Sequence, residues 1–111
     1  MATSREFMEF VLEQISSMPT VRARKMFGEY ALYCDDKVVG LVCDEQVFIK
    51  ITPEGRALVG DRFEEGLPYP GAKPWMLVDG DEIEESDRLC RLVRTTADAL
   101  PPPAPKRPRK R

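Results

Sequence analysis

Between Arg24 and Ile51 short runs rich in Val, Ile, Phe and Tyr alternate with two polar pairs, Asp35-Asp36 and Asp44-Glu45. Runs of this length, bounded by turn-forming residues, predict β-strands near Lys25 to Tyr33, Val38 to Cys43 and Gln46 to Ile51, joined as an antiparallel meander. Aspartate tolerates the left-handed angles of a two-residue turn, although Asp-Asp is a weaker signal than Asp-Gly. With such turns Tyr33 faces Val38 and Val42 faces Val47. Period two then puts Phe27, Ala31, Tyr33, Val38, Val42, Val47, Ile49 and Ile51 on one face, and Met26, Tyr30, Leu32, Val39, Leu41, Cys43 and Phe48 on the other. Both faces are apolar, so each needs a cover. Two arrangements satisfy that demand. In one, the first and last helices lie on opposite sides of the sheet; in the other, the face holding Tyr30, Leu32, Leu41 and Phe48 is a dimer or partner surface, with Lys50 and Gln46 at its polar rim.

The flanking segments supply those helices. Thr3 and Glu6 have capping-box spacing, and Phe7, Phe10, Val11, Gln14, Ile15 and Met18 follow at near-helical intervals, which predicts a helix over 4–17 ended by Pro19. Thr52-Pro53 reads as an N-cap with proline in the first turn, opening a short helix through about Val59 that Gly60 stops. Residues 61–74, rich in Gly and Pro, read as a loop; Trp75 to Val78 reads as a fourth strand and Asp79-Gly80-Asp81 as a turn. From Ser86 or Asp87, Leu89, Leu92, Val93, Thr96, Ala97 and Leu100 recur at three- and four-residue steps, giving a last helix to about Ala99. The expected fold is a two-layer α+β domain over residues 1–100, followed by a disordered Pro-rich basic tail over 101–111.

A chain of 111 residues with 42% hydrophobic content supports one core. No run approaches the ~20 apolar residues of a membrane span, and the N-terminus lacks a secretory pattern, so a cytoplasmic protein without membrane contact is expected. The net charge of −2 conceals an asymmetry: Lys106, Arg107, Arg109, Lys110 and Arg111 hold five of the 17 basic residues. Residues 1–105 keep twelve basic against nineteen acidic residues, a net of −7. Such a body repels a phosphate backbone, and the tail alone offers a weak, non-specific handle for nucleic acid. The chain has no histidine, which removes the commonest general base and metal ligand. Three cysteines without CxxC spacing fit neither a disulfide framework nor a structural zinc site, so no metal, cofactor or catalytic residue is assigned.

Other constellations read more simply as structure. Arg22, Arg24 and Lys25 precede no phosphate-binding glycine motif and read as solvated charges at a strand entrance; Gly28 reads as a bulge or a close backbone contact. The acidic run from Asp79 to Glu85 misses calcium-loop spacing and reads as turn and helix-start chemistry. Cys34, with Lys37 near, reads as a reduced thiol in preference to a redox sensor, and is too far from Cys43 to bridge. Trp75 reads as core or edge packing.

The segment Arg24-Lys25-Met26-Phe27-Gly28-Glu29-Tyr30-Ala31-Leu32-Tyr33-Cys34-Asp35-Asp36-Lys37 resembles the R-K-M-F-G-x-Y-G-L-Y-x-D-G-K stretch of the N-terminal domains of TfoX/Sxy competence regulators. Val39 to Asp44 and Val47 to Ile51 are similar to that family's next two strands, and the resemblance covers about residues 4–100. Ala31 and Asp36 depart from the family's glycines, and Trp75-Met76-Leu77 replaces its usual stretch. The resemblance implies an antiparallel sheet with helices similar to secretion-chaperone-like domains, no catalytic residues, and regulation through protein contacts with transcription machinery. It also implies homodimers, since similar folds pair. Full-length regulators of this kind resemble two-domain proteins, and a role belonging to the second domain does not carry over. The expected function is therefore a non-enzymatic regulatory or protein-interaction module; the alternative is a nucleic-acid accessory protein using its basic tail.

Overall fold

The computed structural model describes residues 3–26 and 29–101. Six antiparallel strands form one open sheet in the order β1-β2-β3-β4-β6-β5, accompanied by four helices. The strands are β1 (Val21–Met26), β2 (Glu29–Cys34), β3 (Lys37–Cys43), β4 (Gln46–Ile49), β5 (Glu65–Gly66) and β6 (Trp75–Val78). The helices are α1 (Arg5–Gln14), α2 (Pro53–Val59), α3 (Gly80–Glu84) and α4 (Ser86–Ala99). The α+β reading from sequence holds.

Local chemistry explains most of these elements. Both hairpin turns have two residues in the left-handed region, Asp35 and Asp36 (φ 54° and 65°) and Asp44 and Glu45 (φ 53° and 62°). That geometry matches the twist of paired strands, and it sets Cys34 opposite Lys37 and Cys43 opposite Gln46. Thr52 caps α2, its hydroxyl accepting from the Gly55 amide at 2.9 Å, with Pro53 in the first turn. Asp79 caps α3 by accepting from the Glu82 amide at 2.9 Å, so the expected turn is a short helix.

Several expectations are corrected. The long strand read from Lys25 to Tyr33 is two strands that pair with each other, Met26 opposite Glu29, while the Gly28 bulge lies outside the described residues. The cap of α1 is Ser4, which accepts from the Phe7 amide at 3.1 Å. Thr3 instead ties the chain entrance to the sheet: its amide and hydroxyl both donate to Glu29 Oε1, at 3.0 and 2.7 Å. Within the expected loop, Glu65 and Gly66 pair with Met76 and Trp75 as β5.

The largest correction concerns the faces. Tyr33 does pair with Val38 and Val42 with Val47, but Leu32 pairs with Gly40, because a bulge inserts Val39 between those pairs. One extra residue shifts the parity of β2 relative to β3 and β4. Tyr30, Leu32, Val39, Val42, Val47 and Ile49 therefore pack in one layer with Met76 and Val78. Met8 and Val11 of α1 with Ile15 at its C-cap, Ile83 of α3, and Leu89, Leu92, Val93 and Ala97 of α4 cover that layer. All three helices lie on the same side, contrary to the arrangement with the first and last helices on opposite faces; one face is left without a helix, as the other arrangement expects, but its membership differs. α2 packs on α4, where Gly55 brings the backbones close: a Cβ there would stand 3.0 Å from Thr52 Oγ1 and 3.3 Å from Thr96 Oγ1. No helix among the described residues is long and apolar enough to cross a membrane.

Candidate functional site

With the helices on one side, the other face of the sheet is the candidate contact surface. Its cluster consists of Ala31, Leu41, Cys43 and Phe48, with Tyr33, Trp75 and Leu77 packed against it. The register arranges these residues in rows. One row runs Arg24, Ala31, Leu41, Phe48, Leu77 across five strands, each residue paired with the next. Beside it, Arg22 pairs with Tyr33 and Tyr33 with Val38; further across, Trp75 pairs with Gly66. In this second row cations sit on rings: the Arg22 guanidinium is 4.9 Å from the Tyr33 centroid, and Lys50 Nζ is 6.0 Å from that of Trp75. Such contacts hold long side chains down against the sheet and contribute about 0.5–1 kcal/mol each at exposed sites.

The middle of this face is shielded without a helix. Leu41 and Phe48 are only 7% and 2% exposed. Gly66 makes room for the Phe48 ring, since a Cβ there would lie 3.0 Å from Phe48 Cε2. What reaches solvent is Tyr33, Trp75 and Leu77, each half-buried. The connection from β5 to β6 adds Leu67 and Tyr69, at 57% and 55% exposed.

The four residues assigned from sequence to one partner surface are thus divided. Leu41 and Phe48 share the helix-free face, with Gln46 and Lys50 on the same side as expected. Leu32 is buried under the helices and Tyr30 packs against the same layer. The physical reason is the bulge at Val39, which turns Tyr30 and Leu32 to the opposite side from Leu41. Tail residues Lys106, Arg107, Arg109, Lys110 and Arg111 lie outside the described residues.

Charged side chains elsewhere lock the layers together. Arg94 of α4 binds Asp35 of the first turn and Asp98, the latter at 3.0 Å. The Thr20 hydroxyl and the Arg94 guanidinium hold the Asp35 carboxyl below its ordinary range. Lys37 Nζ donates to the carbonyls of Ala97 at 2.7 Å and Leu100 at 3.2 Å, satisfying the C-terminal end of α4. Lys37 is therefore engaged with the helix, and burial pushes the Cys34 thiol up, away from the reactive thiolate. Cys34, Cys43 and Cys90 are all unbridged. Glu82 is the buried carboxylate that sequence reading missed: Arg88 grips it at 2.7 and 2.9 Å, Arg62 approaches to 3.3 Å, and the Arg88 contact lowers its pKa. No local pattern marks Glu82 among the acidic residues of 79–85, because only α4 and the turn at Gly60–Arg62 bring the arginines to it.

Comparison with known proteins decides the family. The model of the TfoX N-terminal domain matches residues 13–100. The chain belongs to the TfoX N-terminal domain family. It is also 46% identical over 107 residues to an uncharacterized 12.7 kDa protein in the trpE 5′ region of Spirochaeta aurantia, covering 96% of this chain and 91% of that protein. Family membership supports a regulatory, competence-related module. Within the stretch that carries the family resemblance, the polar residues here do structural work. Glu29 holds the chain entrance through Thr3 and accepts from the Asp44 amide at 3.3 Å, Asp35 and Asp36 form the turn, and Lys37 caps α4. The stretch thus specifies how the helical layer seats on the sheet, and the helix-free face is built from residues alternating with it and from β4 and β6.

Proposed function

We propose that the chain is a non-enzymatic regulatory module that works through protein contacts, linked to transcription, with the helix-free face as its contact surface. The observation that carries this reading is the one-sided placement of the helices, which leaves Tyr33, Trp75 and Leu77 half-exposed over a closed apolar row. The first occupant to test is a second copy of the chain. A sheet of six strands at ~4.8 Å spacing spans ~24 Å, too little alone for the ~800 Å² per partner of a standard interface. Leu67 and Tyr69 at the end of the sheet supply further apolar area. An isologous pair meets the need with one patch used twice, and Arg22, Arg24 and Lys50 then lie at its rim.

Sedimentation equilibrium tests the pairing. The wild type is expected to form a reversible dimer in the micromolar range, and Leu77→Glu to stay folded but monomeric. A wild type that remains monomeric at about 100 μM, which limits any pairing to weaker than about −5.5 kcal/mol, removes the second copy as the occupant.

A further inference from the structure

β1 is an edge strand of six residues paired on one side only, to β2. The opposite edge, β5, has two residues. Among the described residues, only β1 therefore presents a row of unpaired backbone N–H and C=O groups long enough to template another strand. Its side chains concentrate positive charge: Arg22, Arg24 and Lys25 are all exposed. Arg22 is already engaged, 3.0 Å from Asp36 and stacked on Tyr33. Arg24 and Lys25 enter no ion pair among the described residues. Arg24 pairs with Ala31 on the helix-free side and Lys25 with Tyr30 on the helical side, so the two cations flank the edge from opposite faces.

The sign of this charge selects the occupant. Residues 1–105 carry a net of −7, so the edge is a local reversal of the body's charge. A second β1 laid along it would set arginine and lysine against arginine and lysine, and like charges directly opposite destabilise a strand pair. The edge thus rejects its own copy. Nucleic acid would satisfy the cations but leave the backbone groups unmatched. We propose that the β1 edge takes up an extended acidic segment of a protein partner as a seventh strand. Two consecutive carboxylates of that segment flank β1, one beside Arg24 and the next beside Lys25, since neighbouring strand residues point to opposite faces. This rests on the reading of the chain as a protein-contact module, but it uses the edge of the sheet and not its face.

The test uses the full chain and a fluorescent peptide of about ten residues, Thr and Val alternating with two adjacent Glu at the centre. Anisotropy should show saturable binding, and hydrogen exchange should slow at amides of β1. The double variant Arg24→Glu with Lys25→Glu should lose at least about tenfold in affinity, about 1.4 kcal/mol. It should gain affinity for the matching peptide carrying Lys in place of Glu, which also shows that the variant is folded. Leu77→Glu should leave peptide binding unchanged, so a failure of pairing through the face is read separately by sedimentation. Three results overturn the proposal. One is the absence of binding at about 100 μM peptide. Another is equal binding of a peptide N-methylated at alternate amides, which would reduce the contact to charge alone. The third is tighter binding of single-stranded oligothymidine than of the peptide, without protection of β1, which would assign the cations to nucleic acid.

Discussion

The two faces of the sheet are both apolar, yet they are buried by different means. On the helical side, residues such as Leu32, Val39 and Ile49, each 1% exposed or less, are closed by side chains from α1, α3 and α4. On the other side Phe48 reaches 2% exposure with rings and aliphatic side chains of its own sheet around it, aided by the missing side chain at Gly66. The difference shows that an apolar strand face does not by itself call for a helix. Large residues placed beside small ones, Phe48 by Gly66 and Leu41 by Ala31, can shield the centre of a face while its flanks stay open for contact. Full closure by helices is expected to produce a stiffer core than this partial shielding.

Truncation on each side measures that contrast. Leu92→Ala, under the sheet-facing side of α4, should destabilise by about 4 kcal/mol, because a void enclosed by helix and sheet cannot collapse. Phe48→Ala removes a larger side chain but should cost less, about 3 kcal/mol, because its void opens toward solvent. Urea unfolding of the pair checks the order, and a Phe48 variant weaker than the Leu92 variant would place both faces in one core. Gly40→Ala addresses the bulge that divides the faces. Its Cβ would stand 2.5 Å from the Phe48 carbonyl oxygen and 2.8 Å from Ile49 Cδ1, so the strands must part, and a loss of about 2 kcal/mol is expected in the same assay.

The smallest effect belongs to the charged clamp on the helical side. Glu82→Gln should destabilise by about 1–2 kcal/mol, a value kept low because Arg62 and Arg88 are about half exposed. The folded carboxyl has a lowered pKa, with the Arg88 hydrogen bond as its main cause. Its contribution is therefore present above the unfolded-state value of ~4.3 and is lost as pH falls below that value through the folded one. Thermal unfolding of wild type and variant should diverge near neutrality and converge in acid. Parallel curves down to pH ~3 would show that the clamp contributes nothing through ionisation.

Features governed by neighbouring residues were legible in the sequence. Strands β3, β4 and β6, the two-residue turns at Asp35-Asp36 and Asp44-Glu45, the Thr52 cap and the course of α4 from Ser86 to Ala99 each follow from a short window of composition and spacing. The family resemblance in residues 24–37 was equally legible, because it is carried by the residues themselves. The contact face was not. Assigning it required knowing that Val39 and Gly40 together oppose Leu32 and that α1, α3 and α4 share one side; the Glu82 clamp likewise required knowing that Arg62 and Arg88 converge on it. A strand with apolar residues on both sides can pair in either parity with similar local energy, since its own side chains are content on either face. The choice falls to packing across the whole sheet at once. One inserted residue settles which side chains go under the helices, and no window of sequence contains the interactions that select it.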